Sequence, residues 1–204
     1  FVKMGSMTGN EFCPEIAADE TWKALLGAEV FTEGDFVFAS GKKATLKVEM
    51  DKLYSKPKQL AVILGHFAIH PVVQEADVLL YVPDGMRKFT ETLGNELNKT
   101  VAHSMKTPDS ASRYDFGFAS KEDGELALSA RNPVICEDVV TTLGSVAGMR
   151  RLLPPEQTVA SLAILLRGTV NPEYKAGLDD HYLLTREIPT CKNEFREMMK
   201  KLRS

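Results

Sequence analysis

The sequence predicts an α/β fold in which helices flank a parallel sheet. Short apolar runs alternate with stretches of helical periodicity between residues 57 and 166, which is the pattern of strand–helix–strand crossovers. The run ADVLLYV at 76–82 is apolar throughout, as expected for a strand that is covered on both faces. These two observations favour a sheet of parallel strands buried between helices.

Length, composition and charge agree with a single globular domain and exclude some partners. The chain has 204 residues, of which 44% are apolar and 26% are charged. The net charge of -3 gives no electrostatic reason to expect nucleic acid or an anionic membrane as a partner. No apolar run approaches the roughly 20 residues that span a bilayer. The three cysteines, Cys13, Cys136 and Cys191, fit neither a disulfide framework nor a zinc site, which favours a cytoplasmic setting.

The amino-terminal third predicts a helix followed by a hairpin. We expect residues 1–10 to be a cloning remnant or a disordered segment, because they contain Gly-Ser-Met, and they lack the layout of a secretory signal. A helix is expected over 14–27, with Pro14 in its first turn and Gly27 at its end. Its predicted apolar face comprises Ile16, Trp22, Leu25 and Leu26. Alternation of apolar residues then predicts a hairpin over about 35–50 with a turn at Ser40-Gly41.

The remaining elements alternate, apart from one long polar stretch. Residues 104–131 contain few periodic apolar positions, and a stretch of this length is typical of a functional lid or a partly disordered loop. The last helix is short and strongly basic. The predicted elements are helices at 57–70, 86–98, 143–153 and 191–202, and strands at 76–82, 100–103, 133–140 and 158–166.

The segment 133–153 carries the strongest functional signal. An apolar strand brings the adjacent carboxylates Glu137 and Asp138 to its carboxyl end, the edge at which open α/β sheets bind ligands. A loop rich in hydroxyl groups follows and opens into a helix, whose amino-terminal N–H groups favour a phosphate. Because carboxylates repel phosphate, we expect the acids to face hydroxyl groups or a metal while the loop faces the phosphate. A sugar phosphate satisfies both demands.

Two motifs resemble a known family. EDVVTTLGS at 137–145 resembles the phosphoribosyl pyrophosphate motif of type I phosphoribosyltransferases: two acids, two aliphatics, Thr-Thr or Thr-Ser, Gly, any residue, then Ser or Thr. Leu143 stands where most members have glycine. The stretch GDFVFASGKKATLKVEMDKLYSKP at 34–57 resembles the amino-terminal hairpin of orotate phosphoribosyltransferases. Two motifs in the right order are more specific than either one alone.

The resemblance implies a fold and an activity. It implies a twisted parallel sheet flanked by helices, with a small hood at about 11–55, a core at about 56–170 and a carboxyl-terminal strand and helix at 180–203. The implied reaction is Mg²⁺-assisted transfer of ribose 5-phosphate from phosphoribosyl pyrophosphate to a nucleobase, with orotate as the expected base and pyrophosphate as the leaving group. We expect a cytoplasmic homodimer.

The resemblance also assigns roles to residues of this chain. Glu137 and Asp138 match the acids that hold the ribose hydroxyl groups, and Lys106 matches a lysine of the mobile catalytic loop. Mg²⁺ is expected to be held mainly by the ligand, with Asp138 as the candidate protein ligand. The expected 5-phosphate loop comprises Thr141, Thr142, Leu143, Gly144 and Ser145; the expected pyrophosphate site includes Asp84 and Gly85; and the expected base site comprises Lys47, Val48 and Arg167.

Departures from the family pattern leave other functions open. Ala39 replaces a lysine of the hairpin, and the region after His103 lacks most of the family's Arg-Lys-x-x-Lys-x-His-Gly loop. The alternatives are a purine phosphoribosyltransferase, a non-catalytic regulatory protein that keeps the sugar-phosphate site, and a flavodoxin-like protein without a phosphoribosyl ligand. His66 and His70 have a spacing able to bind zinc, but we expect a surface helix end instead.

Overall fold

The part of the chain that the structure describes contains nine strands, seven α-helices and two 3₁₀ helices (Met50–Ser55 and Pro172–Tyr174). The structure is a computed structural model, and it describes residues 12–37, 43–83, 85–108, 112 and 114–202. The strands are β1 (Phe31–Val37), β2 (Lys43–Val48), β3 (Val78–Tyr81), β4 (Thr100–Val101), β5 (Ser104–Lys106), β6 (Phe116–Phe118), β7 (Pro133–Val140), β8 (Val159–Leu166) and β9 (Leu178–Thr185). The helices are α1 (Pro14–Gly27), α2 (Pro57–Ile69), α3 (Pro71–Glu75), α4 (Arg87–Leu97), α5 (Lys121–Ser129), α6 (Gly144–Arg150) and α7 (Lys192–Lys201).

Five strands form the central sheet, and all of its neighbouring pairs are parallel. Their order is β4-β3-β7-β8-β9. The chain first adds β4 on one side of β3 and then crosses to β7 on the other side. This reversal makes the carboxyl ends of β3 and β7 a topological switch point, where α/β sheets bind ligands. The predicted α/β fold with a parallel sheet is confirmed.

Side chains of β7 contribute to the apolar clusters on both faces of the sheet. Val134 and Cys136 belong to one cluster, which includes residues of α1, α2 and α4. Ile135 belongs to the other cluster, which includes residues of α6. Because neighbouring strand residues point to opposite faces, an apolar run is what a strand covered on both sides requires.

The first helix matches its predicted bounds, but one predicted core residue is wrong. Trp22 and Leu25 are buried, whereas Ile16 is 57% exposed. Ile16 lies in the first turn of α1. Glu29 then has a φ of 56°, and the strand β1 begins two residues later.

The hairpin starts earlier than predicted and ends earlier. β1 and β2 form a separate antiparallel two-stranded sheet, and Met50 lies in a 3₁₀ turn at Met50–Ser55 rather than in a strand. Ala39 and the predicted turn at Ser40-Gly41 lie outside the described residues. The role of this segment as a hood remains a prediction.

The stretch 104–131, predicted to be a functional lid or a partly disordered loop, forms regular elements over most of its described residues. β5 and β6 pair as an antiparallel hairpin, and α5 follows. Ser120 caps α5 by accepting a hydrogen bond from the Asp123 N–H at 3.0 Å, while Asp123 Oδ1 accepts one from the His103 N–H at 2.7 Å. Strands of three residues are too short to show alternation in the sequence.

Within the described part of the chain, no helix has the length and apolar character needed to cross a membrane.

Candidate functional site

A cleft of about 560 Å³ lies at the switch point between β3 and β7. Its walls come from the carboxyl ends of these two strands, from the start of α6 and from the β5–β6 hairpin. The lining residues are Val82, Pro83, Gly85, Lys106, Thr107, Ser112, Tyr114, Asp115, Phe116, Glu137, Asp138, Val139, Thr141 and Ser145. The structure therefore brings together both predicted acids, two predicted loop hydroxyl groups and the predicted lysine.

The two adjacent acids of the cleft have different environments. Glu137 is 6% exposed, and its pKa is well above the ordinary value because its carboxyl is buried and lies next to Asp138. The Asp138 N–H donates to Glu137 Oε1 at 2.9 Å, and the Val139 N–H donates to Asp138 Oδ1 at 2.5 Å. Asp138 is half-buried. The pair thus combines a carboxyl that holds its proton readily with a neighbour that water can reach.

The segment after β3 approaches the acids closely through Gly85. A Cβ atom at Gly85 would lie 2.8 Å from Asp138 Oδ2, so any side chain here would displace the carboxylate. The Tyr54 hydroxyl donates to the Gly85 carbonyl oxygen at 3.3 Å, and burial raises the pKa of Tyr54 to about 12. Glycine at 85 therefore lets backbone groups line the cleft beside the acids. Asp84 lies outside the described residues.

The hydroxyl-rich loop over 141–145 encloses a smaller cavity of about 20 Å³. At its centre Leu143 has a φ of 74°, which is unusual for a residue with a side chain, and that side chain is buried with Val146 and Met149. The family glycine at this position would adopt this conformation without strain. The cavity is lined by Tyr114, Glu137 and the residues from Val139 to Val146. We call the loop 141–145 together with this cavity the cradle.

Residues 167–171, which follow β8, contact the backbone of the cradle loop. The Asn171 N–H donates to the Thr142 carbonyl oxygen at 3.1 Å, and the Arg167 N–H donates to the Val140 carbonyl oxygen at 3.0 Å. A Cβ atom at Gly168 would lie 2.6 Å from the Thr141 carbonyl oxygen. The path of the loop backbone is thus set by direct contacts with residues 167–171.

The three residues predicted to bind a base do not belong to the described lining of the cleft. Lys47 Nζ lies 3.2 Å from Glu49 Oε1, and Val48 pairs with Phe31 and packs against the core. Arg167 is half-buried, and its guanidinium donates to the Ile188 carbonyl oxygen at 3.4 Å. Burial lowers the pKa of Arg167. Their role in base binding remains a prediction.

The sequence reasoning missed the contribution of Ser112 and of residues 114–116. Tyr114, Asp115 and Phe116 line the cleft, and Tyr114 also lines the cradle. An aromatic pair within an otherwise polar stretch is a signal that could have indicated a packed segment, because Phe116 is buried against α6.

Comparisons with known proteins agree with the motifs and the fold. No protein-family model matches the chain. A curated relative, orotate phosphoribosyltransferase of Methanosarcina mazei, is 31% identical over 144 residues, which cover 71% of this chain and 73% of that protein. The chain belongs to the type I phosphoribosyltransferase family. The segment 137–145, which resembles the family motif, runs from the end of β7 to the start of α6.

Solved structures show that this phosphoribosyltransferase shares its fold with distant proteins. Orotate phosphoribosyltransferase from Aeropyrum pernix matches with a TM-score of 0.63 and 18% identity, covering 88% of this chain and 97% of that chain. Adenine phosphoribosyltransferase from Saccharomyces cerevisiae matches with a TM-score of 0.57 and 15% identity, covering 82% and 99%. At these identities the likeness concerns the fold of the phosphoribosyltransferase.

Proposed function

We propose that the protein transfers the ribose 5-phosphate of phosphoribosyl pyrophosphate to orotate and releases pyrophosphate. The observation that carries this proposal is the placement of Glu137, Asp138, Thr141 and Ser145 around one cleft at the switch point of the sheet. Acids and hydroxyl groups in this arrangement suit a ligand with sugar hydroxyl groups at one end and a phosphate at the other.

The two halves of the cleft would perform different tasks. Hydroxyl groups and backbone N–H groups of the cradle would bind the 5-phosphate. Asp138 would accept hydrogen bonds from the ribose hydroxyl groups. Glu137, whose pKa is raised well above its ordinary value by burial and by Asp138, would face another ribose hydroxyl group. Carboxylates beside the ribose would stabilise the positive charge that builds up on the sugar as the leaving group departs.

The departing pyrophosphate would need neutralisation by cations and N–H groups. Lys106 lines the cleft, and the backbone at 82–85 adds polar groups. Mg²⁺ fits this site, because it uses one or two carboxylates together with phosphate oxygens and waters. Among the described residues, no group of three His, Cys, Asp or Glu side chains could hold a metal by itself. We therefore propose that Mg²⁺ enters with phosphoribosyl pyrophosphate, with Asp138 as the protein ligand.

Orotate is favoured as the acceptor by sequence similarity. The relative with 31% identity is named an orotate phosphoribosyltransferase. A purine acceptor is the alternative, since an adenine phosphoribosyltransferase shares the fold. Phosphoribosyl pyrophosphate turnover with orotate and with adenine, measured as pyrophosphate release in Mg²⁺ buffer, separates the two. Turnover with adenine alone would contradict the orotate assignment.

A matched pair of variants tests whether the acid pair carries the reaction. Asp138→Asn should reduce turnover at least about a hundredfold, because it removes a charge that acts in the transition state. Asp19→Asn makes the same change on the exposed face of α1, where Asp19 pairs with Lys23 at 2.6 Å, and should leave turnover unchanged. Equal turnover of Asp138→Asn and the wild type would contradict the proposed site.

A non-catalytic sugar-phosphate-binding protein is the second candidate. It is favoured by the charges of the cleft, where Lys106 is the one cationic side chain among the described lining residues and Asp115 adds a third carboxylate. Titration calorimetry that detects phosphoribosyl pyrophosphate binding, without turnover on either base, would select this candidate.

We also propose that the protein is a homodimer. Light scattering after size-exclusion chromatography should then give twice the chain mass of 22.6 kDa. A mass equal to one chain at micromolar concentration would contradict this.

A further inference from the structure

The segment 114–116 packs directly onto α6 at two glycines. A Cβ atom at Gly144 would lie 2.6 Å from Tyr114 Cζ. A Cβ atom at Gly148 would lie 2.5 Å from the Tyr114 carbonyl oxygen and 2.7 Å from Phe116 Cε2. The Arg151 guanidinium donates to the same carbonyl oxygen at 3.0 Å. The segment is therefore seated closely on the helix that begins at the cradle.

This packing places the Tyr114 ring against the mouth of the cradle. Tyr114 lines the cradle cavity together with Thr141, Thr142 and Ser145. The cavity has a volume of about 20 Å³, which is room for about one water molecule. A phosphate group, with four oxygen atoms around phosphorus, needs several times that space. The cavity inside the loop is thus too small for a phosphate group while the Tyr114 ring lies on Gly144, although Thr141 and Ser145 also face the larger cleft.

We propose that the Tyr114 ring competes with the 5-phosphate for the cradle, so that a ligand binds only after the ring has moved. This inference rests on the proposed function, because it takes the cradle to be a sugar-phosphate site. The ring is half-buried, and the centroid of the Tyr174 ring lies 6.3 Å from its own. Phe116 is 5% exposed and anchors the segment two residues further on.

The consequence is a measurable penalty on affinity. If the cradle is open in only a fraction of molecules, the observed dissociation constant is the intrinsic constant divided by that fraction. Removal of the ring should therefore tighten binding. A ring that formed a favourable wall for the ligand, or a hydroxyl group that donated to the phosphate, would have the opposite effect.

Titration calorimetry of the full chain with ribose 5-phosphate separates these cases. Tyr114→Ala should bind roughly three- to tenfold more tightly than the wild type, because the cradle no longer has to be vacated. Tyr114→Phe should bind like the wild type, because the ring, and not the hydroxyl group, fills the space. Tyr174→Ala deletes a neighbouring tyrosine ring outside both cavity walls and should change the affinity by less than about twofold.

Gly148→Ala should also move the Tyr114 ring away from the cradle. Its added methyl group would collide with the Tyr114 backbone and the Phe116 ring, and should push segment 114–116 off α6 without changing a residue of the cradle. It should tighten ribose 5-phosphate binding in the same direction as Tyr114→Ala. Agreement between the two variants supports competition even if one of them is less stable.

The outcomes for this inference and for the proposed function are distinguishable. Wild-type binding that Asp138→Asn weakens, combined with weaker or unchanged binding by Tyr114→Ala, would overturn the competition and leave the sugar-phosphate site in place. Weaker binding by Tyr114→Phe would likewise overturn it in favour of a hydrogen bond from the tyrosine. If neither the wild type nor Tyr114→Ala binds ribose 5-phosphate, both the competition and the proposed site are overturned.

Discussion

Leu143 combines backbone strain with side-chain burial at the centre of the cradle. Its φ of 74° lies in the left-handed region, which costs a residue with a Cβ atom about 1–2 kcal/mol. Its side chain is 2% exposed, and full burial of a leucine contributes about 1.5–3 kcal/mol. This chain therefore keeps the loop conformation that glycine would adopt freely, and the buried side chain offsets the strain.

At position 143, glycine should give a more stable protein than alanine, which is the reverse of their usual order. Leu143→Ala loses the packing, at about 2–5 kcal/mol, and keeps the strain. Leu143→Gly loses the same packing but relieves about 1–2 kcal/mol of strain. Urea unfolding should therefore show the glycine variant to be more stable than the alanine variant by about 1 kcal/mol. A more stable alanine variant would mean that the backbone at 143 is not strained.

In the ligand-free protein, ionisation of Glu137 should lower the free energy of unfolding at neutral pH. Its pKa is raised above the ordinary value of 4.5 by burial and by Asp138, so the folded state binds a proton more readily than the unfolded state does. The stability that comes from proton binding by Glu137 is fully present below pH 4.5 and is lost as the pH rises through its pKa in the folded state. Glu137→Gln removes the loss and should raise the melting temperature at pH 8 by about 2–4 °C per kcal/mol gained.

The effect of Glu137→Gln on the melting temperature should depend on pH. At pH 4.5 the melting temperatures of Glu137→Gln and the wild type should lie closer together than at pH 8, while turnover of the variant falls. Calorimetric melting at both pH values measures the difference. A variant that is destabilised equally at both values would show that Glu137 contributes packing rather than a pH-dependent charge.

At the scale of elements, the sequence predicted the segment β7–loop–α6 well because its signals are strong and local. Eight successive strand residues are followed at once by hydroxyl groups and by a glycine that begins a helix. The strands β5 and β6 were missed because three residues cannot show alternation. The seating of Tyr114 on Gly144 was also beyond prediction, since it depends on a contact between residues 30 positions apart.

Gly168 lies in the segment after β8, which contacts the cradle backbone and helps to position it. The segment after β8 lies so close to the cradle that a methyl group at 168 would sit 2.6 Å from the Thr141 carbonyl oxygen. Gly168→Ala should displace the cradle backbone and weaken ribose 5-phosphate binding about tenfold or more, because misplacement by a fraction of an ångström disturbs several hydrogen bonds at once. Titration calorimetry measures this effect.

Gly117→Ala is the matched control for this prediction. Gly117 lies in β6, and a Cβ atom there would have no heavy atom within 4 Å. The control should bind ribose 5-phosphate like the wild type. Equal weakening by both variants would indicate a general effect of alanine, and unchanged binding by Gly168→Ala would show that the loop adapts.

At the scale of the whole molecule, His70 and His181 join elements that are far apart in the sequence. His70 stands between α2 and α3, where its ring contacts Phe12 and His181 at centroid distances of 4.4 and 5.3 Å. His181 in turn lies 2.9 Å from Asp179. These contacts join the amino-terminal segment, the helices on one face and the edge strand β9, so the protonation of His70 acts on global stability.

Acid should therefore destabilise the fold through His70 between about pH 6.5 and pH 4. Burial, with a smaller contribution from His181, lowers the pKa of His70 from 6.5 to about 4. In this window the unfolded state binds a proton that the folded state excludes, so stability is present above pH 6.5 and falls as the pH drops. His70→Leu removes the titrating group, and its urea midpoint should fall less between pH 7 and pH 4.5 than that of the wild type. His181→Leu, which leaves His70 buried, should retain most of the wild-type decline. Parallel declines in the wild type and in His70→Leu would place the acid sensitivity elsewhere.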